Sequence, residues 1–336
     1  MALLATVEKT MRRLPLASLL LCLPQLCSGQ VPESARILDS TFGKSAPEVI
    51  ELNFPATNLN VLAGGHIQGI QVVHDPTNRR YLAFVSHDSV RQAYVVVAAF
   101  AESLQEAGEV IHVHKFPEGR LRHAGGIQIL DDILVVGLED NRSKDRSEVQ
   151  FWDISDVQAW QQLPHLTVAR QGMPRDQTAG AVGLTKLDGN HLLAVANWDS
   201  HDIDFYRARQ TDLRDATAAF QHDFRWSVDN ADRSMWKPND VYGSFQAVNL
   251  LQDSRGRLYL LGFHQGRRQW DYADLFRLDL TTPARQRMQK IASKQIRLTS
   301  DIHFKYGGGM SIQDNQLWLL SSERNLGEST RINIVR

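Results

Sequence analysis

Two histidines, a scatter of carboxylates and several aromatic rings fall at matching places along this chain. Their side chains are the ones that bind, or act by acid–base chemistry on, a small polar molecule. His66 and His123 each open a short Gly/Ala-rich apolar strand, and Thr178, Ser244 and Tyr306 open three more strands of the same kind. A second set follows the next apolar run of each unit: His87 with Asp88, Glu139 with Asp140, Trp198 with Asp199, His264, and Glu323 with Arg324. Neutral imidazole beside a carboxylate is a usable divalent-metal set, so His66, His123 and Glu139 are read as possible metal ligands. The competing reading is that each histidine ties its loop to a neighbouring strand. Asp88, Glu139, Asp140, Asp199 and Glu323 admit acid–base work of the glycoside-hydrolysis type, which needs two facing carboxyl groups; the alternative is solvated turn chemistry. Trp236, Tyr242 and Tyr306 lie in loops where rings stack on flat ligands or, equally, plug the space between elements. His112 and His114 share a face of an outer strand and are expected to face solvent. No Gly-x-Ser-x-Gly elbow occurs.

These residues need elements that bring distant positions together, and the repeats supply them. The five copies are GHIQGIQVV (65–73), RHAGGIQIL (122–130), QTAGAVGLT (177–185), GSFQAVNLL (243–251) and KYGGGMSIQ (305–313). Each is followed by further apolar runs of strand length, as in DILVVGLE, SEVQFWDI and PHLTVAR of the second unit. Alternation and β-branched content give four strands per unit. The repeat spacing, near 60 residues, fits a four-stranded propeller blade and not a solenoid unit. The fifth unit has only three strands before Arg336, whereas VIELNF (49–54) precedes the first unit and belongs to none of its strands. An open blade would leave an unpaired edge. The sequence therefore predicts an all-β fold, a five-bladed propeller closed by an N-terminal strand that completes the last blade. Innermost-strand starts and second-to-third loops share one face, so the two residue sets are expected around an axial pocket there.

Trp-Asp pairs at 152–153, 198–199 and 270–271 are reminiscent of WD40 repeats, but the period is longer and the pairs sit at different places in their units. The chain resembles the five-bladed β-propellers, an architecture shared by tachylectin-type lectins, several glycoside hydrolase families and calcium-dependent apyrases. None of their signature motifs transfers residue by residue, so the resemblance implies fold and assigns no activity.

The N-terminus reads as an export signal, residues 1–29, followed by one domain, 30–336. Arg12 and Arg13 precede an apolar run from Leu14 to Leu26, and Cys27-Ser28-Gly29 supplies small residues for cleavage. The stretch before Met11 is long for such a leader, which leaves Met1 and Met11 as alternative starts. Pro15 and Pro24 interrupt the run, which is too short for a bilayer span. Cys22 and Cys27 are the only cysteines and both lie in the leader, so disulfides and thiolate chemistry are excluded from the rest. With 37 basic against 38 acidic side chains, the composition does not suit a polyanion or nucleic-acid partner. The expectation is a secreted or periplasmic monomer that binds a small polar ligand, such as a carbohydrate, through His66, Asp88, His123, Glu139, Asp199, Trp236, Tyr242 and Tyr306. The alternatives are a metal-dependent hydrolase or lyase, or a metal-free glycosidase, at the same pocket, and a protein-interaction scaffold.

Overall fold

A computed structural model describes residues 41–43, 47–57, 59–61, 63–266, 270–298 and 301–336. The export-signal reading, residues 1–29, lies outside them. Five antiparallel sheets stand around one axis as blades of a propeller. Blade 1 runs outward through Ile67–Asp75, Arg80–His87, Tyr94–Ala101 and Glu109–Lys115; blade 2 through His123–Leu130, Ile133–Glu139, Arg146–Asp153 and Val168–Gln171. Blade 3 comprises Ala181–Leu187, Asn190–Ala196, Asp202–Ala208 and Gln221–Ser227, and blade 4 Ala247–Gln252, Leu258–Gln265, Asp271–Leu278 and Met288–Ile296. In blade 5 the innermost position is shared by Ile302–His303 and Gly309–Gln313, followed by Gln316–Glu323 and Thr330–Val335.

Val49–Phe54 closes the ring. It pairs antiparallel with Thr330–Val335, in a register from Val49 opposite Val335 to Phe54 opposite Thr330. The predicted closure is therefore observed. Middle strands are packed on both faces by neighbouring blades, which is why they read as continuous apolar runs: in Tyr94–Ala101 every residue but the last is buried. Outer strands alternate or are exposed, as in Gln221–Ser227. One apolar layer fills each seam among the described residues, from Phe54, Ile70, Trp318 and Ile332 between blades 5 and 1 to Leu261, Phe263, Phe304 and Leu319 between blades 4 and 5. One sequence expectation shifts: Pro164–Leu166 forms a short 3-10 turn, and the fourth strand of blade 2 begins only at Val168. Proline's fixed φ and missing N–H suit the turn and not a ladder.

Glycine draws the innermost strands together. A Cβ at Gly309 would lie 1.8 Å from the Ile70 oxygen, and one at Gly69 would lie 2.8 Å from the Gly126 Cα. Backbones this close leave no room for side chains. The constriction sits in the half of the axis where the innermost strands begin, here called the upper half.

Candidate functional site

At the upper face the second strand of each blade, the loop after it or the first residue of the third strand ties to the start of the next blade. Ser86 donates to the Gly125 carbonyl at 2.7 Å, and the Glu139 carboxylate accepts the Ala179 N–H at 2.9 Å. Ser200 donates to the Phe245 carbonyl at 2.8 Å, Asp271 accepts the Phe304 N–H at 2.9 Å, and Ile67 donates to the Arg324 carbonyl at 2.8 Å. These five latches hold the ring and also fix where polar side chains stand.

The innermost strands of blades 1 and 2 are irregular where they begin: pairing shifts between Ile67 and Gly69, and between Ala124 and Ile127. Bulges of this kind re-aim side chains. They bracket a group of titratable residues on this face. The Asp88 carboxylate accepts the His66 backbone N–H at 2.6 Å. The His66 imidazole, half-buried, donates to the Ile67 carbonyl at 2.9 Å, and its other edge meets the Gln68 amide at 3.2 Å. Its ring lies 6.4 Å from that of Tyr306, which in turn lies 5.7 Å from His303. Blade 5 thus joins blades 1 and 2 around this spot.

His123 and Glu139 form the second part. The imidazole Nδ1 is 3.1 Å from Glu139 Oε1, with the carboxylate 1 % exposed and the imidazole 12 % exposed. Burial works against a charge on His123, but Glu139 and then Asp88 outweigh it and hold its pKa above the ordinary histidine value. His87, stacked on Tyr94 at 4.9 Å, goes the other way. Burial pushes it down to about 4, and the nearby Asp88 offsets that only in part. His87 feels both His66 and His123, so the three imidazoles share one neighbourhood. The result is one histidine poised to be charged beside one held neutral.

The structure thus gathers His66, Asp88, His123, Glu139 and Tyr306. The other three candidates stand elsewhere. Asp199 is exposed on a turn with φ of 61°. Trp236 is 6 % exposed, and with Tyr242 it joins the layer between blades 3 and 4, against Trp226, Phe245 and Phe276. The Tyr242 hydroxyl donates to the Ser200 carbonyl at 2.7 Å. Among the described residues, no three His, Cys, Asp or Glu side chains are arranged to hold a metal ion. His66 is not brought into one donor set with His123 and Glu139.

Two expectations are corrected. His112 and His114 do not face solvent: His114 stacks on Trp160 at 4.5 Å and meets Trp152 at 4.3 Å, and burial lowers its pKa to about 4. The segment around Trp160 folds over the outer strand of blade 1, with Gln158 donating to the Ile111 carbonyl at 3.0 Å. A cavity on the axis, of about 490 Å³, opens at the lower face and not the upper one. The glycines pinch the upper half, while larger residues after them splay the lower half. The signal was present in the repeats. Five residues after each opening position stand Gln71, Gln128, Gly183, Asn249 and Ser311, polar in all but the glycine copy. All four polar side chains are buried.

No protein-family model matches the chain, and no curated protein matches it in sequence. Solved structures match in fold. An α-L-arabinofuranosidase from Podospora anserina, in complex with cellotriose, is 10 % identical with a TM-score of 0.50, covering 91 % of this chain and 98 % of that one. The catalytic domain of a GH62 α-L-arabinofuranosidase from Coprinopsis cinerea is 12 % identical with a TM-score of 0.47, covering 88 % and 97 %. A GH43 β-xylosidase/α-arabinofuranosidase from a compost microbial metagenome is 9 % identical with a TM-score of 0.47, covering 86 % and 95 %. At such identities the similarity is one of fold: the chain is a five-bladed β-propeller.

Proposed function

We propose that this chain is an exported propeller that binds a small polar ligand of the carbohydrate class at the upper face, where blades 5, 1 and 2 meet. The observation that carries this reading is the His123 imidazole, partly open to solvent between Glu139 and Asp88, with the His66 and Tyr306 rings alongside. An imidazole donor, acceptor carboxylates and an aromatic face are the groups that recognise hydroxyls and a sugar ring. The Podospora protein of the same fold, crystallised with cellotriose, supports a saccharide as the ligand class.

Binding is favoured over hydrolysis because both carboxylates already serve the scaffold. Asp88 accepts from His66 and Glu139 from Ala179, whereas a glycosidase needs two carboxyl groups free to exchange protons. Calorimetric titration of a panel of xylo-, arabino- and cello-oligosaccharides tests the reading. His66→Ala and Tyr306→Ala, both at half-buried positions, should weaken binding about tenfold or more, equivalent to about 1.4 kcal/mol. The same variants should melt close to wild type. Undiminished binding in both variants, or release of reducing sugar during the titration, refutes it. Export is tested separately. The mature protein should begin at Gln30, and mass spectrometry of the protein from its native compartment would show an intact leader if the proposal is wrong.

A further inference from the structure

The cavity at the lower face shares no residue with the upper-face group, and its lining is specific enough to name a ligand class. Its floor is Gln71 and Gln128, and its wall carries Thr185, Ser311 and Gln313 between aliphatic side chains. At about 490 Å³ it has the size of a small-molecule site.

The polar groups are held in place by the ring itself. Gln128 reaches from blade 2 to accept the N–H groups of Leu184 and Leu250, both at 2.9 Å, and donates to the Leu250 carbonyl at 2.7 Å. Gly183 leaves the room for it, since a Cβ there would lie 2.8 Å from the Leu250 nitrogen. Gln71 donates its amide to the Ile70 carbonyl at 3.0 Å, and Gln313 donates to Ser311 at 2.8 Å and to the Val72 carbonyl. With one amide N–H of Gln71 and both of Gln313 so engaged, the two amides are fixed in position before any ligand arrives, and their carbonyl oxygens are left to offer. Thr185, 5 % exposed, adds a hydroxyl.

Charge narrows the ligand further. At the rim Lys186 and Asp131 pair at 2.6 Å, and Asp253 is bound by Arg257 at 2.8 Å. Each ionised group therefore has its counter-charge, and bringing in a net charge would leave it uncompensated. Among the described residues no aromatic ring lines the cavity, so a ligand must be held at its edges by hydrogen bonds and not by stacking. We infer that the lower cavity is a second, separate binding site, for a small neutral polyhydroxylated molecule such as a monosaccharide or polyol. It does not rest on the upper-face reading, because the two sites share no residue.

The test is titration of the protein with glucose, galactose, mannose, xylose, arabinose, glycerol and inositol, alongside charged glucuronate and glucosamine. Hydrogen exchange then locates the bound probe. At least one neutral probe should bind saturably and protect the strand ends at 184–186 and 311–313. The isosteric Thr185→Val should weaken it about tenfold, as should Gln313→Met. Thr185→Val keeps shape and size, so it decides the matter even where Gln313→Met does not fold. The inference is overturned if no neutral probe binds, if charged probes bind more tightly, if Thr185→Val binds as wild type does, or if protection maps to His66 and His123.

Discussion

His87 and His123 are neighbours in space whose environments push them in opposite directions, and stability should record both. His87 is 4 % exposed and held near pKa 4, against 6.5 for an unperturbed histidine. Between those values the unfolded chain takes up a proton that the folded chain refuses, so stability falls as pH drops from 6.5 towards 4. One such group accounts for about 3 kcal/mol over that range. His123, raised above its ordinary value, has the reverse sign: its contribution is complete below pH 6.5 and disappears as pH rises through its folded-state pKa. Urea midpoints measured across pH should therefore peak near neutrality. His87→Phe, which preserves the stack on Tyr94, should make the acid limb shallower, leaving the share of the other histidines that burial lowers, His114 above all, and should leave the alkaline limb unchanged; an acid limb of the same slope would contradict the assignment. Glu139 links this electrostatics to the scaffold. Glu139→Gln retains an acceptor for Ala179 and should cost about 1 kcal/mol, whereas Glu139→Ala leaves a buried N–H unpaired and should cost about 3 kcal/mol. In the glutamine variant the His123 imidazole should titrate at lower pH by NMR.

Among the elements, the strand Val49–Phe54 carries a closing role out of proportion to its length. Leu52 is 1 % exposed and Phe54 fully buried, and both pack in the seam between blades 5 and 1. Phe54→Ala should cost about 3–5 kcal/mol as a large-to-small change in a closed core. Deleting residues 30–54 should abolish the cooperative transition, because the last blade would lose its outer strand; a deletion variant that melts like the full chain would show that the ring closes by other means. This strand was legible from the sequence because a strand left over at one end matched a strand missing at the other. The innermost strands were equally legible, since glycine at the axis and alternation within blades are local signals. Less legible was the side of a seam on which a residue ends up. His112 and His114 alternate as an exposed outer strand should, yet a segment 45 residues downstream, around Val157–Trp160, covers them. Trp236 and Tyr242 read as loop aromatics, and only the packing of blades 3 and 4 decides that they are buried. The repeat alignment sets His66, His123 and Tyr306 at equivalent strand starts, and in the structure they stand on one face, the His66 and Tyr306 rings 6.4 Å apart. The lower cavity is marked by no titratable cluster but by amides at a repeated position, Gln71, Gln128 and Asn249, a weaker signal in sequence.

Every blade packs against two others through the seam layers, so the ring is expected to unfold as one unit. Five seam layers and five upper-face latches distribute stability around the circle. Gln128 adds a connection that seam contacts between adjacent blades do not provide. From blade 2 it receives one N–H from blade 3 and one from blade 4, on the axis itself. Gln128→Leu keeps the volume but strands two buried donors, each costing about 1–3 kcal/mol, so the ring should lose about 2–6 kcal/mol in all. Since the seams remain intact, unfolding should still occur in one transition, with an unchanged dependence on urea concentration and a lower midpoint. Gly309→Ala makes the contrast: its added carbon would meet the Ile70 carbonyl where backbones touch, forcing blades 5 and 1 apart. That variant should lose more stability than Gln128→Leu. A Gln128→Leu protein that unfolds in two steps would show that the axial amide, and not the seams, makes five blades behave as one domain.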